Sequence, residues 1–447
     1  MRIAFVNQPQ DKIVAAEEQR GSVTIVNTEL AQRLAKRHDV VMYAPLFAGQ
    51  AEVEKWGRIE LRRIPHVANT LHKGLQLLVG RLRPGKPYFT SLLYYREYFA
   101  QLAQDLLHNP VDIVHLPQQF QFAPMIRRAL PRAHIVIHMH QDELAHLDYK
   151  ILKRRLAHLD AVVTVSDYVT DRARERFPEF ASRIHTIGNG VDIERFRPDA
   201  QRAFVNRAQK LLFVGRISPD KGVHILMEAF DRLARERPDL SLDLIGKVGM
   251  LPFDLLALLL QGDEKLAGLR EFYGSSTFDW LSKEVVGQKS SYREALMKRL
   301  SPDAAARVKF LGSIPLPELL KTYQQADLLV LPSIWHESYG LPVAETMASG
   351  VPVVASRCGG VPELVDDGVT GKLVPRADVD ALTDALRSLL NDPARLTEMG
   401  RAARARAEKV LNWQRSADKL ERIYLDLAQS EGGRRVDLSS LASSTTA

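Results

Sequence analysis

The feature that most constrains the fold is an alternation of short apolar runs with longer amphipathic stretches. In the first half, the apolar runs are Ile3–Val6, Val40–Ala44, Ile113–His115, Ile135–His138 and Val162–Ser166. They lack strict polar alternation, as is typical of parallel strands that crossover helices cover on both faces. Helical patterns, such as Thr24–Arg37, Tyr94–Leu107 and Ala145–Leu156, lie between several of them. This half therefore predicts a doubly wound α/β unit.

The same alternation starts again after a linker. Its predicted strands are Leu211–Val214, Leu242–Ile245, Val308–Phe310, Leu328–Leu331 and Val353–Ala355, with a helix over Val223–Glu236. The linker, Gly188–Gln209, carries turn residues and charges and has little periodicity. We expect an α/β fold of two Rossmann-like, doubly wound domains, 1–195 and 196–413, with an interdomain cleft. Open α/β sheets bind ligands at the carboxyl ends of their strands, so the cleft is the expected site.

Two segments interrupt this pattern. Residues 247–304 read as an insertion in the second domain, to which the sequence assigns no role beyond shaping acceptor access or mediating self-association. Residues 414–430 predict a C-terminal helix of undetermined packing. Residues 431–447 are rich in Ser, Thr and Arg and predict a disordered tail.

Composition excludes several classes of protein. With 447 residues, 45% of them hydrophobic and 26% charged, the chain is neither largely disordered nor a disulfide-stapled miniprotein. The single cysteine, Cys358, forms no intrachain bridge, and no apolar run approaches about 18 residues. We therefore expect a cytoplasmic location. The net charge of +7 suggests an anionic partner, but no zinc-finger spacing supports a nucleic-acid partner, and we expect none.

The most informative stretch runs from His336 to Glu363, directly after a predicted strand. Pro342 suits the first turn of a helix that ends near Gly350, and the opening amides of such a helix suit a phosphate. The carboxylates of Glu337 and Glu345 are natural acceptors for sugar hydroxyls. The alternative for Glu345 is that it only complements the helix dipole.

A second motif is the strand-to-helix loop from Gly215 to Gly222. Arg216 offers a guanidinium fork and Lys221 a point charge, and together they can neutralise a diphosphate leaving group. The alternative is that one of them is an exposed loop charge.

Three weaker signals lie elsewhere at predicted strand ends and turns. Gly21 and Ser22 follow strand 1 and a long loop, where a glycine lets backbone approach a ligand. His138, His140, Asp142 and His146 could form a metal site, although a strand-end histidine in a cleft is more often a hydrogen-bonding group. Asn189–Asp192 lies at the predicted hinge and also reads as a plain turn.

Together these motifs resemble the retaining glycosyltransferases of the two-Rossmann-domain (GT-B) architecture, glycosyltransferase group 1 (family 4-like). The family signature is two glutamates separated by seven residues, here Glu337 and Glu345, followed by Gly359, Gly360 and Glu363. The resemblance covers about residues 1–430 apart from the insertion. One departure is Ser22, where the family often has a second glycine after Gly21.

The resemblance implies a role for each site residue. Glu345 would bind the ribose of a UDP- or GDP-sugar donor, Glu337 would lie by the donor sugar, and Arg216 and Lys221 would hold the diphosphate. His140 would face the transferred sugar near the acceptor. The remaining implied donor contacts are Gly21, Ser22, Asn189, Ser338, Tyr339, Gly340 and Leu341.

The expected reaction needs no metal and no further cofactor. The triplet Asp378–Asp380 has the spacing of a metal-binding motif, but it begins a probable helix and reads as a cap. By the same resemblance, a hexosyl unit is transferred with retention by front-face attack. The acceptor is a glycan, a lipid-linked glycan or a small-molecule hydroxyl, in polysaccharide or glycoconjugate biosynthesis.

The stretch 71–99 mixes basic and aromatic residues, which suits a lipid-linked acceptor or an anionic membrane surface. Its alternative is a helix with a buried aromatic face and a solvated basic loop. Rival functions are a nucleotide-sugar epimerase or phosphorylase of similar fold, and a non-catalytic scaffold.

Overall fold

The computed structural model describes residues 1–10, 13, 21–65, 90–199, 209–251, 263–273 and 289–430. Within these ranges the strands are β1 (Arg2–Val6), β2 (Asp39–Leu46), β3 (Val53–Trp56), β4 (Ile59–Pro65), β5 (Ile113–Pro117), β6 (His134–Met139), β7 (Ala161–Thr164), β8 (Ile184–Thr186), β9 (Lys210–Val214), β10 (Ser241–Ile245), β11 (Val308–Gly312), β12 (Leu328–Leu331), β13 (Val353–Ser356) and β14 (Gly371–Val374).

The helices of the first half are α1 (Ser22–Leu34), α2 (Arg96–His108), α3 (Ala123–Ala129), α4 (Tyr149–Leu156) and α5 (Asp167–Arg176). Those that follow are α6 (Val223–Glu236), α7 (Glu264–Ala267), α8 (Arg270–Tyr273), α9 (Lys289–Met297), α10 (Pro302–Ala305), α11 (Leu316–Gln325), α12 (Leu341–Ala348), α13 (Val361–Leu364), α14 (Val379–Leu390), α15 (Pro393–Val410) and α16 (Trp413–Gln429).

The strands form two sheets, one in each half. The first has the order β3-β4-β2-β1-β5-β6-β7-β8, and the second has the order β11-β10-β9-β12-β13-β14. Pairing is parallel in both sheets apart from the antiparallel β3–β4 hairpin. The prediction of two doubly wound α/β domains is confirmed. The strand order reverses between β9 and β12, so the loops that follow these two strands meet at a topological switch point.

The β3–β4 hairpin is a difference from the sequence prediction. Strand β3 lies at the sheet edge, and its first three residues are exposed. An edge strand needs little apolar surface, so Val53–Trp56 carries charge and gives no buried-strand pattern.

Helix α16 returns from the second half to the first. Trp413, Leu420 and Tyr424 are buried in the cluster that also contains β1 and α1. Arg37 at the end of α1 pairs with Glu421 at 2.8 Å. The last helix therefore closes the chain against the first sheet, a packing that the sequence left undetermined.

Several predicted segments lie wholly or partly outside the described residues. These are the tail 431–447, most of 71–99, and the stretches 252–262 and 274–288 of the insertion. The described end of the 71–99 stretch includes Tyr98 and Phe99, which are buried in the core. For these two aromatic residues the structure agrees with the buried-face alternative.

Candidate active site

The loop after β9 is locked onto the loop after β12. Gly222 has φ of 66°, and a Cβ there would lie 1.9 Å from the carbonyl oxygen of Pro332. The carbonyl of Asp220 accepts hydrogen bonds from the amides of Ile334 and Trp335 at 3.0 and 3.1 Å. Only glycine permits this contact and this φ, so the sequence Lys221–Gly222 fixes where the lysine side chain starts.

Lys221 and Glu337 form the central ion pair of the site. The Nζ atom of Lys221 lies 2.6 and 2.8 Å from the two carboxylate oxygens of Glu337. The hydroxyl of Ser333 donates to the same carboxylate. Glu337 is about nine-tenths buried, and the Lys221 ammonium lies 5.6 Å from the centre of the Trp335 ring. The pair is therefore held rigidly at the switch point.

Arg216 lies in the same loop, and hydrogen bonds to other residues of that loop hold its side chain. Its Nη2 atom donates to Asp220 at 2.8 Å and its Nε to Ser218 at 3.1 Å. Asp220 is fully buried, whereas about a third of the Arg216 side chain is exposed. The guanidinium thus keeps donors available at the surface of the loop. The structure pairs Lys221 with Glu337 and places Arg216 in the same loop as Lys221, and the role of these residues in donor binding stays a prediction.

Two consecutive glycines, Gly359 and Gly360, contact the backbone of Glu337. The amide of Gly360 donates to the carbonyl of Glu337 at 2.7 Å. A Cβ on Gly359, whose φ is 53°, would lie 2.0 Å from that same oxygen. From the sequence, these glycines were recognisable only as part of the family motif, and their contact with the Glu337 backbone was not predicted.

Glu345 has its own hydrogen-bond partner. Its carboxylate accepts a 2.7 Å hydrogen bond from the hydroxyl of the buried Tyr323. Burial raises the pKa of Glu345, and the Tyr323 hydrogen bond partly offsets that rise. The contact with Tyr323 fixes the side chain on the first turns of α12.

The residues between the two glutamates are packed against the linker. The hydroxyl of Tyr339 donates to the carbonyl of Asn189 at 2.6 Å. Ser338 and Asn189 are nearly buried, and within the described residues neither the Ser338 hydroxyl nor the Asn189 side-chain oxygen has a hydrogen-bond partner. Gly340 precedes α12 with φ of 101°, and Leu341 packs among apolar side chains of both halves.

His140 follows β6 in the first half. Burial lowers the pKa of His140 to about 3, so the imidazole is neutral at physiological pH. Its ring centre lies 4.2 Å from that of His138. No protein partner of its Nε2 atom occurs in the described part of the chain. A neutral imidazole with an unused nitrogen can hydrogen-bond a sugar hydroxyl.

Next to His140 lies a buried chain of hydrogen-bonded polar groups, which was not predicted from the sequence. The Nδ1 atom of His138 lies 3.2 Å from Nε2 of His115, and Nδ1 of His115 lies 2.7 Å from the hydroxyl of Tyr424 in α16. Both histidines are fully buried, and burial lowers the pKa of each. These hydrogen bonds link the last helix to β6, and His140 follows the end of that strand.

Gly21 and Ser22 are exposed at the start of α1. Gly21 has φ of 100°, a conformation that favours glycine, and it occupies the N-cap without a side-chain cap. A helix N-terminus of this kind presents backbone N–H groups, which suit a negatively charged ligand.

The carboxyl edge of the first sheet faces the second-domain loops. A Cβ on Gly360 would lie 2.9 Å from Cβ of Ser166, which follows β7. The Tyr168 and His336 rings stack with centres 5.4 Å apart. The carboxylate of Glu363 accepts the amides of Asp167 and Tyr168, both at 2.8 Å. Because of these contacts, loops of both domains line one interdomain cleft.

The two candidate metal motifs are engaged in local hydrogen bonds. Asp378 accepts from the amide of Ala381 at 2.8 Å and caps α14, as predicted. Asp142 pairs with His146 at 3.0 Å, while His138 belongs to the buried chain. The described residues contain no group of three His, Cys, Asp or Glu side chains placed to hold a metal ion.

Two family models divide the chain between them. The model described as "Glycosyl transferases group 1" matches residues 195–406, and the model "Glycosyltransferase Family 4" matches residues 23–195. The chain is a glycosyltransferase, and its residues 195–406 belong to group 1. The predicted family and enzyme class are thus confirmed.

Two curated relatives illustrate the range of this similarity. Spore coat protein SA of Bacillus subtilis is 22% identical over 444 residues, which cover 95% of this glycosyltransferase and 99% of that protein. A glycogen synthase of Mycobacterium tuberculosis is 31% identical over 272 residues, which cover 61% of this chain and 55% of that enzyme. The chain thus spans about half the length of the glycogen synthase.

Solved structures share the fold over nearly the whole chain. A sucrose-phosphate synthase from Thermosynechococcus elongatus superposes with a TM-score of 0.67 at 20% identity, covering 96% of this chain and 99% of that one. Anabaena HepE in complex with UDP and glucose gives 0.62 at 19% identity, covering 94% and 98%. At these identities the likeness concerns the GT-B fold.

No described helix is both long enough and apolar enough to cross a membrane.

Proposed function

We propose that this glycosyltransferase moves a hexosyl unit from a nucleoside-diphosphate sugar to a hydroxyl group, with retention and without a required metal ion. The observation that carries the proposal is the shared position of Arg216, Lys221 and Glu337 at the switch point of the second sheet. The UDP and glucose bound to HepE, a protein of the same fold, support a UDP-sugar as donor. A GDP-sugar is the alternative donor.

The cations supply the main chemical effect. When the bond between C1 of the sugar and the diphosphate breaks, its electron pair passes to the leaving phosphate oxygen. Arg216 and Lys221 stabilise the negative charge that develops there, and fixed donors of this kind lower the barrier most in a water-poor cleft. The acceptor hydroxyl bonds to C1 from the same face, and its proton passes to the leaving phosphate.

The other site residues position the donor in this proposal. Glu337 holds Lys221 and lies beside the sugar hydroxyls, while Glu345 accepts from the ribose. Asn189 and the segment 338–341 line the pocket, and Gly21 and Ser22 bring the α1 amides to the phosphates. His140 hydrogen-bonds the transferred sugar as a neutral imidazole.

The acceptor class within this function is a glycan, a lipid-linked glycan or a small-molecule hydroxyl, and the setting is polysaccharide or glycoconjugate biosynthesis. Membrane contact through residues 71–99 stays a prediction, because most of that stretch lies outside the described residues.

A donor panel tests the proposal. UDP-glucose, UDP-galactose, UDP-N-acetylglucosamine and GDP-mannose are each incubated with the protein in EDTA, and nucleotide release and thermal shift are measured. We expect one donor to release its nucleoside diphosphate and that nucleotide to raise the Tm.

The rival functions give different results in the same panel. Conversion to an epimeric donor without release indicates an epimerase. Phosphate-dependent formation of a sugar 1-phosphate from a glycan, without use of any nucleotide sugar, indicates a phosphorylase. No shift with any nucleotide indicates a scaffold.

A further inference from the structure

A cavity of about 370 Å³ lies between the two domains, beside the loop that carries Glu337. This volume lies within the range of roughly 300–1,000 Å³ that small-molecule sites occupy. Its first-domain wall includes Asp142, His146 and Arg172, and its second-domain wall includes Trp335, His336 and Arg376. Residues of both domains therefore line this cavity, which lies next to the proposed donor site.

The insertion supplies a third wall. Asp263 to Leu266 line the cavity, and Leu266 is buried in one cluster with Trp335. The carboxylate of Asp263 accepts from Nη1 of Arg376 at 2.7 Å, and the ammonium of Lys265 donates to the Arg376 carbonyl at 3.0 Å. These contacts fix the described part of the insertion to the rim of the cavity.

The lining carries balanced charge. Its described acids are Asp142, Asp263 and Glu264, its described Arg and Lys residues are Arg172, Lys265 and Arg376, and His146 and His336 add two imidazoles. The Asp142 carboxylate lies 3.0 Å from the His146 ring and 3.5 Å from the Arg172 guanidinium, so it is already paired with neighbouring side chains. A phosphate dianion needs a surplus of cationic donors, whereas each Arg or Lys of the described lining is matched by an acid. Alternating donors and acceptors suit hydroxyl groups instead.

Trp335 adds an aromatic wall and an unused donor. Only 7% of its surface is exposed, and within the described residues its indole Nε1 has no hydrogen-bond partner. An indole nitrogen is a donor only, and a buried donor without a protein partner indicates a place for a ligand or water. Aromatic surface beside paired polar groups is suited to a sugar ring.

We propose that this cavity is the acceptor pocket, that it takes a neutral carbohydrate, and that Glu264 and Lys265 of the insertion select it. This inference rests on the function proposed above. The insertion then has a defined role, because it places an acid and a base on the acceptor side of the cleft, where each contacts a hydroxyl of the incoming sugar.

Acceptor-stimulated turnover tests the proposal. Nucleotide release from the active donor is measured in water alone, with methyl α-D-glucopyranoside, methyl α-D-mannopyranoside or maltotriose, and with glucose 6-phosphate. We expect a neutral saccharide to raise release several-fold above hydrolysis. Glu264→Gln and Lys265→Ala should each raise the saccharide concentration for half-maximal stimulation at least fivefold over wild type.

Glu271→Ala is the matched control, since Glu271 lies in the insertion at α8, outside the cavity lining, and pairs with Arg299. Stimulation by glucose 6-phosphate alone, no stimulation by any saccharide, or stimulation that neither cavity variant changes would overturn the inference. If hydrolysis and the nucleotide-dependent Tm shift are themselves absent, the proposed function fails instead, so the two failures are distinguishable.

Discussion

At the residue scale, Lys221 and Glu337 account for much of the electrostatics of the candidate site. Two short contacts join them, and Glu337 is nearly buried. Removing one partner of a buried pair leaves an uncompensated charge, which costs roughly 3–5 kcal/mol. A single substitution in this pair therefore lowers both the stability and the turnover. A second substitution, at the partner residue, is needed to separate the two effects.

Lys221→Met should lower both the free energy of unfolding and the turnover of the donor. We expect kcat to fall about 10²- to 10³-fold, as when one transition-state donor is removed. Adding Glu337→Gln to Lys221→Met should restore most of the stability, since the buried charge is gone, but not the turnover. Urea unfolding and nucleotide release measure the two effects, with Lys372→Ala on β14 as control. Recovery of turnover in the double variant would contradict the assignment of Lys221.

His140 makes stability depend on pH in a defined direction. Its folded pKa is about 3 and its unfolded pKa about 6.5, so its contribution is complete above pH 6.5 and is lost as the pH falls. Between pH 7.5 and 5.5, wild type should lose about 1.4 kcal/mol more stability than His140→Asn. Urea unfolding at both pH values checks this, and equal losses would show that His140 is not held neutral.

At the element scale, the loops after β9, β12 and β13 support one another through backbone contacts. The central strands were predictable, because buried parallel strands have an apolar pattern, whereas β4, β8 and β14 were not among the predicted strands. The supporting contacts were not, since Gly222 meets Pro332 and Gly359 meets Glu337 across more than 20 residues of sequence. The β3–β4 hairpin was missed because its edge strand is exposed and charged.

Gly359→Ala should displace the Glu337 loop. The added Cβ would lie 2.0 Å from a backbone oxygen, and φ of 53° adds strain of order 1–3 kcal/mol. We expect a stability loss of about 2 kcal/mol or more and at least a tenfold fall in turnover. Gly368→Ala is the matched control, because its φ is 78° but a Cβ there meets nothing within 4 Å. If both variants retain wild-type turnover, the loop contact does not position Glu337.

At the scale of the whole molecule, long-range contacts join the domains, and two of them are made by α16 and by Glu363. Helix α16 returns to the first sheet, where Tyr424 reaches His115, and Glu363 holds the start of α5. The motifs predicted the cleft and the residues on its second-domain side. No local pattern reveals that residues 309 positions apart form a hydrogen bond, so the buried polar chain behind His140 was not predictable.

Glu363→Ala should loosen the domain interface without unfolding either domain. The variant leaves the amides of Asp167 and Tyr168 without their carboxylate partner, so these amides should exchange hydrogen at least tenfold faster. Donor hydrolysis should rise relative to transfer, because a looser cleft admits water. Glu398→Ala, at an exposed pair with Arg395, is the control. Unchanged exchange at α5 in Glu363→Ala would contradict this role.

The most direct measurement of the central claim is a crystal structure of the protein with UDP, or with GDP if that nucleotide is the one that raises the Tm. We expect the β-phosphate oxygens to lie at hydrogen-bonding distance, about 2.7–3.2 Å, from Arg216 and from Lys221 in the interdomain cleft. A nucleotide bound elsewhere, with Arg216 and Lys221 contacting only Asp220 and Glu337, would contradict it.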